Sequence, residues 1–175
     1  MTMLFNRDYS FRGTHADKVI ELTATFDDKG NKLFIRNLDV YLLAPIVGFL
    51  YGRKSDLDSS GKNTNILFEA MSKETTTLWF NYRLIMLLDK DNEDDFDQRI
   101  EKAFRNYGSE QAKTDEELYE SFVRGGVDIL HEKLIASVNR PEDYLKNLYE
   151  FMEEFEERYG QSADEILNLV KLAKG

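Results

Sequence analysis

Apolar residues spaced three and four apart run through the second half of the chain. Over 141–159 they fall at Tyr144, Leu148, Phe151, Met152, Phe155 and Tyr159, while Glu153, Glu154, Glu156 and Glu157 lie largely on other faces. That spacing predicts an amphipathic helix. Pro141 suits a first helical position, and Gly160 suits a left-handed stop. The pattern repeats over 115–136 through Leu118, Phe122, Val123, Val127, Leu130 and Leu134, with Thr114 and Glu117 as a candidate capping box. Gly125-Gly126 sits in mid-helix, where each glycine costs about 1 kcal/mol relative to alanine. The pair therefore predicts a bend or a close helix crossing. Shorter helices are expected over 96–107, ending at Gly108, and over 162–174.

Two segments are apolar nearly all round: 76–88 (TTLWFNYRLIMLL), and 38–51, where Pro45 is expected to kink the helix or divide it. They are expected at the centre, with the acidic helices around them. Over 19–35 two readings stay open. Ile20, Leu22, Ala24 and Phe26 alternate as in a strand that would turn at 27–31 into Leu33-Phe34-Ile35. Thr14 with Asp17 looks like a capping box, and Val19, Leu22 and Phe26 also fit a helix, which is the preferred reading. The polar run 55–65 (SDLDSSGKNTN) predicts a mobile surface loop. No repeat of 20 to 50 residues is evident. The fold expected is all-α: one compact domain over 1–175 with six or seven helices, and a small β-hairpin near 19–35 as the alternative.

Composition supports an ordered core, since 42% of residues are hydrophobic and 12 are Phe and 9 Tyr. The absence of cysteine excludes disulfides and thiolate chemistry and suits a reducing, cytoplasmic setting. The first residues lack the apolar core of a secretory signal. The apolar run 40–51 falls short of the roughly 20 residues a membrane span needs. Charge is split: residues 1–90 carry 12 Lys/Arg and 11 Asp/Glu, and residues 91–175 carry 11 and 22. A net charge of −10 disfavours sequence-independent nucleic acid binding and anionic membranes.

Few chemical signatures survive inspection. The acidic run 89–97 (DKDNEDDFD) lacks the glycine and the closing glutamate of a calcium loop in either register. Its carboxylates instead suit the start of the following helix. The only histidines, His15 and His131, belong to no zinc-helix motif; no complete phosphate loop, Gly-x-Ser-x-Gly or Glu-x-x-His occurs. No metal or other cofactor is expected, and no catalytic group stands out.

Two residue sets remain as candidates. Arg7, Asp8, Arg12 and His15, with Arg53, can bind an anion or orient a carboxylate in a polar N-terminal pocket. Glu153, Glu154, Glu156 and Glu157 form an acidic helical face suited to a basic protein partner. The leading expectation is a noncatalytic accessory or regulatory protein, a subunit of a larger assembly, that recognises a partner through this face or through residual apolar surface. The alternatives are an enzyme or small-ligand-binding protein using the N-terminal pocket, and an acidic competitor of nucleic acid for a basic partner. Homo-oligomerisation stays open.

Overall fold

The computed structural model describes the backbone of residues 4–160 and 163–175 and the side chains of 4–160 and 167–175. In chain order the elements are β1 (Tyr9–Arg12), α1 (Gly13–Leu22), α2 (Asn37–Leu50), β2 (Asn63–Ile66), α3 (Phe68–Lys73), α4 (Thr75–Leu88), α5 (Phe96–Phe104), α6 (Ala112–Leu134), α7 (Pro141–Tyr159) and α8 (Ala163–Lys174). Among the described residues the architecture is thus a mostly-α bundle of eight helices with one two-stranded antiparallel ribbon. None of these helices is long and apolar enough to cross a membrane. Position 162, expected to open the last helix, lies outside the described residues.

The centre is a crossing of α2 and α6 at glycines. A Cβ on Gly48 would sit 2.0 Å from the Phe122 carbonyl oxygen, and one on Gly126 only 1.7 Å from the Ala44 carbonyl oxygen. The two backbones therefore touch, which explains Gly125-Gly126 in mid-helix despite its local cost. Pro45 lies inside α2 without dividing it. Helix α4 packs beside this pair and is fastened by the Asn81 side chain, whose Nδ2 donates to the Leu42 carbonyl at 2.7 Å. The largest fully buried side chains include Tyr41 from α2, Tyr82 and Leu87 from α4, and Tyr119 and Leu130 from α6. Helix α6 thus belongs to the centre, although it comes from the acidic half of the chain.

The strands lie away from the hairpin weighed as the alternative over 19–35, where the preferred helix forms as far as Leu22. Helix α1 runs through Val19 and Leu22, both wholly buried, and ends there. Only an isolated bridge, Thr25 to Lys32, follows, across a turn held by Asp27, which accepts from the Lys29 and Asn31 amides. The ribbon instead joins β1 to β2, with Tyr9 opposite Ile66 and Arg12 opposite Asn63. The expected loop 55–65 therefore ends in a strand. Asn-Thr-Asn-Ile has no apolar alternation; contacts such as Ser10 Oγ donating to Asn65 Oδ1 (2.6 Å) and Asn37 Nδ2 donating to Thr64 Oγ1 (2.7 Å) hold it.

The caps differ as well. Gly13 has φ +56°, and the Thr14 amide donates to Asp58 at 3.0 Å, so the start of α1 is capped from the 55–62 segment rather than by a local box. Helix α6 begins at Ala112, which puts Thr114 inside its first turn. Gly160 is right-handed at φ −63°, whereas Gly108 at φ +74° is left-handed after α5. Asp95 caps α5 by accepting from the amides of Asp97 and Gln98, as expected of the acidic run.

Candidate functional site

The N-terminal segment 4–12 lies against α6, and a cleft of about 520 Å³ opens between them. The segment is firmly fixed. Asp8 accepts from the Phe68 amide at 2.7 Å, the Tyr107 hydroxyl donates to the Leu4 carbonyl, and β1 is paired with β2. Phe5 adopts a left-handed φ of +66°, a strained conformation for an aromatic residue. Edge-to-face packing on Trp79 and Tyr119, with ring centroids 4.9 and 5.9 Å away, holds it there.

The base of the cleft is aromatic and carries two carboxyls, Glu116 and Glu120. Tyr9 and Tyr41 lie with ring centroids 4.4 Å apart, and the Tyr41 hydroxyl donates to Glu120 Oε1 at 2.7 Å. Burial pushes the Glu120 carboxyl up to about 7, against the opposing pull of the Tyr41 and Tyr9 hydroxyls and of Arg124. Burial likewise raises the Glu116 carboxyl, with Arg7 opposing. Glu116 and Glu120 sit one turn apart on α6, and each has a buried oxygen, Oε1 and Oε2 respectively, with no hydrogen-bond partner. Buried acceptors are usually satisfied.

Positive groups surround these carboxyls. Arg124 is buried and committed: its Nε donates to the Ser55 carbonyl at 2.8 Å, and its guanidinium pairs with Glu117. Arg7 and Arg12 line the cleft and are exposed. Lys113, also on the wall, turns to Glu110 at 2.6 Å. Leu57 and Met71 add apolar lining.

Of the N-terminal set proposed from sequence, Arg7, Asp8 and Arg12 thus share this cleft. His15 and Arg53 do not line it. His15 is buried on α1 with Nε2 3.4 Å from Asp128 Oδ2. Lys18 Nζ donates to Asp128 Oδ1 at 2.6 Å, and the Ser55 hydroxyl donates to Oδ2. Burial alone would raise the Asp128 carboxyl, but the hydrogen bonds from His15, Lys18 and Ser55 outweigh it and hold the group well below the usual carboxylate range. Because Asp128 stands between His15 and Ser55, the imidazole does not contact the serine hydroxyl, and the carboxylate that does is a weak base, held well below its usual range. The cluster ties α1 and the segment after α2 to α6. Arg53 pairs with Glu132 at 3.1 Å, and His131 with Glu21 at 2.6 Å.

The four glutamates of α7 divide. Glu154 is tied to Lys133 (2.6 Å) and accepts from the Tyr51 hydroxyl (3.1 Å), while Glu153, Glu156 and Glu157 are exposed. Alongside them Leu145, Tyr149 and Met152 form an exposed apolar stripe, each about 60% exposed. Among the described residues no group of three or more His, Asp or Glu side chains is arranged to hold a metal ion. The chain matches no protein-family model, no curated protein and no solved structure.

Sequence reasoning did not single out Tyr41, Glu116, Glu120 or Arg124. A signal existed in part: Glu116, Glu120 and Arg124 recur at four-residue spacing on α6, beside the buried positions Tyr119, Val123 and Val127. Nothing in the sequence indicates that residues 4–12 return to cover that stripe.

Proposed function

We propose that this protein binds a small polar molecule in the cleft between residues 4–12 and α6. The observation that carries this reading is the charged base: Glu116 and Glu120, each with a buried unsatisfied oxygen, line a cavity whose volume suits a metabolite. Arg7 and Arg12 supply charge that can attract and orient a ligand. A cytoplasmic setting, suited by the cysteine-free chain, belongs to the same reading. The test is a screen of charged metabolites, read by the methyl resonance of Met71 in ¹³C-methionine-labelled protein. Binders should shift Met71 and lose at least tenfold in affinity in Arg12→Ala. A broad screen in which nothing moves Met71 would overturn the reading.

A second reading rests on α7. The apolar stripe Leu145, Tyr149 and Met152, flanked by Glu153, Glu156 and Glu157, has the composition of a docking face for a basic protein partner. In this reading the protein acts as an accessory subunit. Replacing Leu145 and Met152 by Ser should abolish capture of a partner that the unaltered protein binds; undiminished capture would remove α7 from consideration.

A further inference from the structure

The charges of the cleft point to a particular class of ligand, and the inference rests on the small-molecule reading above. Several groups are already engaged within the protein. Glu117 holds Arg124, Asp8 caps α3 through the Phe68 amide, and Lys113 turns to Glu110. Left for a ligand are the Glu116 carboxyl and the second oxygen of Glu120, whose Oε1 already accepts from Tyr41, within the cleft, and the Arg7 and Arg12 guanidiniums at the exposed edge.

We propose that the cleft accepts a compact zwitterion, its protonated amine set inward against Glu116 and Glu120 and its phosphate or carboxylate set outward against Arg7 and Arg12.

A bare anion drawn in by the arginines would meet two carboxyls at the base. A bare cation would satisfy those carboxyls but leave both arginines unused. A molecule with both charges meets complementary groups at each end, and its ammonium supplies donors to carboxylate oxygens that have none. Glu116 is the stronger evidence of the two, being more than nine-tenths buried with an orphaned oxygen, a state that costs free energy until a donor arrives. The Tyr9 and Tyr41 rings narrow the base beside these carboxyls, which restricts the inner end to a small group.

The test compares O-phosphoethanolamine, β-alanine, inorganic phosphate and ethylammonium at pH 8, by isothermal titration and by the Met71 methyl shift, with far-ultraviolet circular dichroism to verify each variant's fold. One of the two zwitterions should bind at least tenfold more tightly than phosphate or ethylammonium, and which one does so identifies the outer group. Glu116→Gln should reduce that preference at least fivefold, and Arg12→Ala should weaken the zwitterion while leaving ethylammonium unchanged. Glu120→Gln, which can keep the hydrogen bond from Tyr41, provides a second route should Glu116→Gln fail to fold. Phosphate binding as tightly as the zwitterions, or a preference unaltered by Glu116→Gln and Glu120→Gln, would overturn the proposal while the cleft reading stands. So would four inactive probes when other metabolites shift Met71. If no compound moves Met71, both fall together.

Discussion

At the scale of single residues, Glu120 and Asp128 are held in opposite ways only two turns apart on α6. Glu120 binds its proton more tightly folded than unfolded, with a folded value of about 7 against 4.5 for the free group. The folded state therefore holds this proton between those values, and the contribution of Glu120 to stability falls as pH rises from about 4.5 to about 7, then levels off. Burial sets this shift, with Glu117 adding to it and the Tyr41 and Tyr9 hydroxyls and Arg124 opposing it. Glu120→Gln should remove that slope and raise stability above pH 7 by up to ~3 kcal/mol. Urea unfolding of both proteins at pH 5 and pH 8 measures it, and equal differences at the two pH values would contradict it. Asp128 behaves in the reverse sense, because its depressed carboxyl contributes stability above the unfolded value near 3.8 and loses it as pH falls. Asp128→Asn leaves Lys18 and His15 without their anion and should cost roughly 2–4 kcal/mol at pH 7. None of this was legible locally: His15 and Asp128 are 113 positions apart, and a lone histidine near arginines reads equally well as part of an anion site.

At the scale of elements, long periodic stretches were legible and pairing partners were not. The pattern over 141–159 coincides with α7, and the glycine pair of α6 did predict a close crossing. Gly126→Ala should therefore be severe, about 3 kcal/mol or more, because its methyl would meet backbone rather than a movable side chain. A Gly126→Ala protein that melts within 2 °C of the unaltered chain would show that the helices can separate cheaply. The strands were missed because β1 and β2 lie some fifty residues apart and draw their order from each other, not from alternation. The same holds for the start of α1, whose cap is an aspartate 44 positions away. On α7, by contrast, the exposed stripe bears little on folding. The Leu145/Met152 double serine variant should change stability by no more than about 0.5 kcal/mol per site, which separates a docking role from a structural one.

At the scale of the whole molecule, the split of charge along the chain does not divide the structure. Helix α6, which opens with Asp115, Glu116, Glu117 and Glu120, runs through the middle and supplies one wall of the cleft. Its acidic residues are partly spent on internal pairs, Glu117 with Arg124 and Asp115 with Lys102. The contiguous core linking α1, α2, α4 and α6 should unfold as one unit, so calorimetry should record a single transition whose van't Hoff and calorimetric enthalpies agree. A ligand present at a hundred times its dissociation constant should add about 2.7 kcal/mol, raising the midpoint by roughly 5–10 °C for a chain of this size. Because one side of the cleft is contributed by residues 4–12 and the other by residues 113–124, the first wall must wait for a helix synthesised more than a hundred residues later. During translation the binding site has no existence until α6 has left the ribosome. Competence to bind is thus acquired only once both walls exist, so a ligand acts on chains that already carry α6 and not on shorter nascent fragments.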